Sequence, residues 1–128
     1  MEEQTGEFDI QKAREFIQKK RANILRERHQ RFEKAWHDFD NIVALLIKRY
    51  DLKQIYQWGS LLNEKYFSEI SDIDIAVEGV KSAEQYFQMI GEAMELTDFP
   101  LDLVDIEKVD PVYAEGIRKR GRLIYERK

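Results

Sequence analysis

Residues 71–79 read Ser-Asp-Ile-Asp-Ile-Ala-Val-Glu-Gly, a segment that few folds can use. Asp72 and Asp74 alternate with Ile73 and Ile75 and lead into Ala76 and Val77, the pattern of a strand with one thoroughly apolar face. Successive side chains on a strand point to opposite faces, so both aspartates stand on the same side, about 6–7 Å apart. Two ionised carboxylates at that spacing repel by about 2–3 kcal/mol at an effective dielectric near 20. The chain must therefore supply a core for the isoleucines and something positive for the aspartates.

The remaining pattern supplies the core. No proline occurs between Asp9 and Tyr50, and Phe32, Trp36, Phe39, Val43, Leu46 and Tyr50 follow one another at intervals of four and three. Ile10, Ala13, Ile17 and Ile24 extend this stripe backwards through a more charged stretch. The reading is one long amphipathic helix, or two with a break near residues 20–30. Its second half packs on the domain, because Ile42, Leu45 and Ile47 widen the apolar face there. After Tyr50 the period changes to short elements. They are a strand in Lys-Gln-Ile-Tyr-Gln-Trp-Gly, a loop or helical turn from Ser60 to Ile70, the strand Asp72–Val77, and a helix over Lys81–Leu96. That helix carries Ala83, Phe87, Ile90, Met94 and Tyr86 towards the core. A strand after Pro100 follows, then a helix with Asp110 as N-cap, Pro111 at its first position and Gly121 as its stop, and a last strand Arg122–Glu126. The expected class is α/β (α+β), with a helical arm over residues 1–50 and a domain of about 75 residues over 51–128.

Composition narrows the function. The chain of 128 residues has no cysteine, which excludes disulfides and thiolate metal sites. The longest apolar run, Ile42–Ile47, is six residues, far short of the ~20 of a membrane span. The acidic start Met-Glu-Glu-Gln-Thr-Gly-Glu-Phe-Asp lacks the basic and apolar regions of a leader, so a cytoplasmic setting is expected. The net charge of −4 is unevenly spread: Gln11–Lys34 holds nine Lys/Arg against three Glu, whereas residues 35–128 hold 12 basic and 18 acidic side chains. The basic helix is a solvated face, or it meets a partner, a nucleic acid or a second copy of the chain in a homodimer.

Three features point to chemistry. Gly59-Ser60 ends a strand, where glycine lets backbone approach a ligand and the hydroxyl and N–H groups can donate to phosphate oxygens. Asp72 and Asp74 share a face, as hard cations such as Mg²⁺ in contact with an anionic substrate require. Asp102, in the apolar run Leu-Asp-Leu-Val-Asp-Ile, reaches the same cations if its strand lies beside theirs, about 4.8 Å away. Asp105 faces the other way. Together these make a site for in-line displacement at phosphorus. An Arg-x₅-His spacing, Arg31 to His37, resembles a ribonuclease motif, but one helix cannot build that site.

The run Gly-Ser-Leu-Leu-Asn-Glu-Lys-Tyr-Phe-Ser-Glu-Ile-Ser-Asp-Ile-Asp (59–74), the later Asp-Leu-Val-Asp-Ile and the ending Glu-Gly-Ile-Arg-Lys-Arg-Gly-Arg-Leu-Ile-Tyr-Glu resemble the DNA polymerase β-like nucleotidyltransferases. The likeness is greatest to the minimal (MNT) group and spans residues 53–126. The resemblance implies a small mixed β-sheet packed with helices. It further implies Gly59, Ser60 and Lys65 at the nucleotide, and Asp72, Asp74 and Asp102 on two Mg²⁺ ions (or Mn²⁺), with Asp102 assisting the attacking hydroxyl. The substrate would be ATP or another NTP, and the transferred group AMP. The partner would be a HEPN-type helical protein encoded nearby, with this chain as the antitoxin of the pair. The basic residues Arg118, Lys119, Arg120 and Arg122 would steady phosphate or acceptor. A non-catalytic antitoxin that sequesters its partner and a small-molecule transferase of the aminoglycoside type are the alternatives. Two departures from the family pattern stand out. Eleven residues rather than ten separate Ser60 from Asp72, and Glu64 stands where a second glycine is expected.

Overall fold

The computed structural model describes residues 6–128, with side chains from Asp9 onward; most of the acidic stretch read for a leader lies outside the described residues. The stripe from Phe32 to Leu46 is the inner side of one unbroken helix, α1 (Gly6–Arg49), with Tyr50 just past its end and no break between residues 20 and 30. Ala35, Phe39, Ile42 and Leu46 from this helix are essentially inaccessible to solvent. Full burial of each large side chain contributes roughly 1.5–3 kcal/mol, so the second half of α1 is part of the domain core.

Four strands follow: β1 (Gln54–Trp58), β2 (Ile73–Glu78), β3 (Leu101–Asp105) and β4 (Arg122–Glu126). They form a mixed sheet in the order β3-β2-β1-β4. β1 runs antiparallel to both β2 and β4, and β2 runs parallel to β3. The parallel pair needs a crossover, which helix α2 (Ala83–Met94) provides. Ser82 caps α2 by accepting from Gln85 N–H. Helix α3 (Pro111–Arg120) joins β3 to β4, with Asp110 accepting from Val112 N–H and Gly121 closing it, as read from the sequence. Among the described residues no helix is long and apolar enough to cross a membrane.

Alternation along the strands divides the core in two. Ile55, Ile73, Ile75, Val77 and Leu103 face α1 and α2, together with Met89 and Ala93. Tyr56, Ala76 and Val104 face α3 and pack on Ala114 and Ile117. The inner side of α2 differs from the expected one: Met89 and Ala93 are buried and Ile90 packs on them, whereas Phe87 and Met94 are 67% and 57% exposed. Apolar residues cover so wide an arc of this helix that periodicity alone does not single out the core side.

Candidate active site

The sheet face covered by α3 also carries the acidic residues. In the register, Trp58 of β1 lies opposite Asp74 of β2, and Asp74 opposite Asp102 of β3. Asp72 immediately precedes β2. Helix α3 shields Tyr56, Ala76 and Val104, further along the same face, and leaves Asp72, Asp74 and Asp102 only half-buried. The neighbouring-strand placement expected for Asp102 is therefore present. Asp105 lies on the opposite face, against α1 and α2, and its carboxylate accepts from Glu107 N–H in the following turn.

The backbone after β1 is fitted to the site. Gly59 has φ of +84°, and a Cβ there would lie 2.0 Å from Asp74 Oδ2. No side chain can occupy that position without displacing the carboxylate. Ser60 opens the first of two 3₁₀ turns (Ser60–Leu62 and Glu64–Tyr66), anchored by the buried Leu61 and Phe67. A further turn, in which Ser71 Oγ accepts from Ser68 N–H at 2.8 Å, delivers the chain to Asp72. Ser60 and Asp72 are thus joined by tight turns, in which one residue more or less is a cheap change in loop length. Lys65 is exposed in the second turn, its Nζ 5.8 Å from the Tyr66 ring centre. Glu64 accepts no role at the aspartates; its carboxylate meets His29 Nδ1 of α1 at 2.9 Å.

Electrostatics mark the centre. Burial, then the charge of Asp102 and that of Asp72, pushes the Asp74 carboxyl up to about 7. Burial and Asp72 also raise Asp102. Among the described residues no cation or hydrogen-bond donor pairs with these three carboxylates. Nor, among the described residues, is any group of three His, Cys, Asp or Glu side chains gathered closely enough to hold a metal ion as it stands. The donor chemistry nonetheless fits a hard divalent cation: only carboxylate oxygens, on adjacent strands, with uncompensated negative charge.

Two aromatic residues border the site: Tyr113, which sequence reasoning passed over, and Tyr86, which it placed only on the inner side of its helix. Tyr113 of α3 stacks edge-on against Trp58 at 5.7 Å, and its hydroxyl is raised by burial and by the charges of Asp102 and Asp74. Tyr86 of α2 donates to the Leu103 carbonyl and is raised by burial and by Asp102. Beside β3 a cavity of about 400 Å³ opens between Asp102, Tyr86, Phe87, Lys81, Lys108 and Val109. Of Arg118, Lys119, Arg120 and Arg122, three are engaged elsewhere. Arg118 pairs with Glu78 at the far end of β2, Lys119 lies 2.7 Å from Glu115, and Arg122 covers the Trp36 ring. Arg31 and His37 likewise serve the fold, donating to the Glu69 carbonyl and contacting Asn41.

Comparison with known proteins agrees with this geometry. The family described as polymerase beta, nucleotidyltransferase matches residues 40–128. No curated protein matches the sequence. Among solved structures, the toxin–antitoxin complex MntA–HepT superposes with a TM-score of 0.56 at 22% identity, over 72% of this chain and 73% of the other. A toxin–antitoxin structure with AMP-PNP gives 0.59 at 24% identity, covering 70% and 73%. The complex of tri-AMPylated Shewanella oneidensis HEPN toxin with MNT antitoxin gives 0.55 at 22% identity, covering 73% of each chain. These structures share the fold, and the matched segment is well over half of the sequence: the chain belongs to the polymerase β nucleotidyltransferase family.

Proposed function

We propose that this protein transfers AMP from ATP to a hydroxyl group on a partner protein, as the antitoxin of a HEPN/MNT-type pair in the cytoplasm. The observation that carries this reading is the register pairing of Asp74, two residues after Asp72, with Asp102, at the end of the sheet that α3 leaves open. The likeness to MNT antitoxins bound to HEPN toxins, one of them tri-AMPylated, supports the choice of acceptor.

The chemistry divides along the strand order. Gly59 and Ser60, at the end of β1, would hold the triphosphate through backbone N–H groups and the serine hydroxyl. Mg²⁺ or Mn²⁺, held by Asp72, Asp74 and Asp102, would supply charge neutralisation and Lewis acidity to the phosphates when bound. In-line displacement places the attacking and leaving oxygens on opposite sides of the α-phosphorus. With pyrophosphate on the Gly59 side, the acceptor arrives from the Asp102 side, where the cavity opens. The acceptor oxygen bonds to phosphorus, the bond to the β-phosphate oxygen breaks, and Asp102 takes the hydroxyl proton. Trp58 and Tyr113 stack edge-on at the border of the site.

Incubation with α-labelled ATP, Mg²⁺ and the HEPN-type protein encoded beside this gene tests the proposal. Label on that protein, lost in Asp72→Asn/Asp74→Asn, supports it. A folded sample that binds no nucleotide yet still neutralises the toxin would establish the sequestering alternative, which the Glu64 substitution favours.

A further inference from the structure

The first half of α1 is a surface without a use in the site described. Every residue from Asp9 to Gln30 is exposed, a helical arm of about 33 Å at 1.5 Å per residue. On it Ile10, Ile17 and Ile24 are 55%, 46% and 43% exposed. At about 100° per residue these three lie within roughly 40° of one another, on the same side as Phe39, Ile42 and Leu46, which enter the core. The core-facing stripe thus continues off the domain with nothing among the described residues covering it. Arg14, Arg21 and Arg28 repeat at the same seven-residue interval along one flank, and among the described residues none has an ion-pair partner. The family match begins only at residue 40, so this arm lies outside the matched segment.

We propose that the arm docks a helix of another protein, one with an apolar stripe and an acidic flank. Charge selects this occupant. Two antiparallel copies of the arm would set arginine row against arginine row, and two parallel copies would face Lys20 with Lys20 in the seam. Nucleic acid would satisfy the arginines but cover three isoleucines with phosphate and sugar. An acidic-flanked amphipathic helix satisfies both rows. Where the arm reaches the domain, a cleft of about 360 Å³ between Ile24, Glu27, Arg28, Arg31 and Glu69 receives the end of such a helix. The interface does not depend on the nucleotidyl-transfer reading.

The test uses the full chain and a fluorescent heptad peptide of about four heptads, with leucine in its seam and glutamate on its flanks. A version with lysine flanks and a short single-stranded RNA serve as competitors. Sedimentation equilibrium near 0.15 M salt should find the chain monomeric. The glutamate peptide should bind at least about tenfold more tightly than the lysine peptide. Ile17→Asn/Ile24→Asn should weaken binding by a similar factor without moving the melting temperature, since both residues are exposed. Arg14→Glu/Arg21→Glu/Arg28→Glu should reverse the peptide preference. A dimer dissolved by Ile17→Asn/Ile24→Asn, equal affinity for both peptides, or tighter binding of the RNA would each overturn the proposal.

Discussion

Replacing Asp74 by asparagine should stabilise the metal-free protein while abolishing transfer. In the folded chain the carboxyl is raised from 3.8 to about 7, by burial first and by Asp102 and Asp72 second. At face value that corresponds to a folding penalty of about 4 kcal/mol at pH 8, where the group is ionised in both states. Asp74 is partly open to water, so screening reduces this to roughly 2 kcal/mol. The sign follows from linkage. Between pH 4 and 7 the folded state holds more of the proton than the unfolded state, so stability falls as pH rises through that window and is level above it. The asparagine variant lacks this slope. Thermal melts with a chelator should place Asp74→Asn about 6–8 °C above the parent at pH 8, with the two curves converging towards pH 4. Added Mg²⁺ should then raise the parent and leave the variant nearly unmoved. A variant that melts at or below the parent at pH 8 in chelator would refute the reading of these carboxylates as an uncompensated cluster.

Gly59→Ala should cost about 2–4 kcal/mol in denaturant unfolding, because the residue sits at φ +84° and its new Cβ would lie 2.0 Å from Asp74 Oδ2; unchanged stability would contradict that contact. Asp110→Ala removes the cap on Val112 N–H and should lower stability by about 1 kcal/mol, with transfer activity retained once the temperature is kept below the melt. His29 is raised above 6.5, by its hydrogen bond to Glu64 first, then by the charges of Glu64 and Glu33. An NMR titration should therefore find its midpoint above 6.5, and Glu64→Gln should lower it. The pairing stabilises the fold fully below pH 6.5 and is lost as pH rises through the folded value.

Much of the fold was legible because local signals and the global structure agree. The four-three spacing from Phe32, the Asp110-Pro111 start of α3 and the alternation around Asp74 each have one physical solution, and α1, α3 and β2 are those solutions. The pairing of Asp74 with Asp102 was legible only conditionally, since strand neighbours are set by a crossover that periodicity does not encode. Phe87 and Met94 misled for the opposite reason: α2 is apolar around much of its circumference, and only contact with β3 and α1 decides which arc is buried. Tyr113 left no signal of its own. It reaches Trp58 because α3 packs on one face of the sheet, a tertiary fact that no local spacing records.

The loop between Ser60 and Asp72 shows how a departure from the family pattern can be accommodated physically. A glycine at position 64 would leave the loop tip free to follow a ligand; glutamate instead gives it a side chain to be held by. That side chain is drawn outward to His29, which also lies 3.4 Å from Glu33 one turn along α1. Arg31 holds the same loop further on, donating to the Glu69 carbonyl at 2.7 Å while stacking over Phe99. Both holding residues lie before residue 40, outside the segment that matches the family. The N-terminal part of α1 therefore fixes the loop from the outside at Glu64, the position where a glycine is expected from the sequence pattern. The carboxylates are served by Gly59, which remains glycine and still fits against Asp74. The contact at the reacting end of the loop is thus in place, and the Glu64 end is fastened to the N-terminal part of α1.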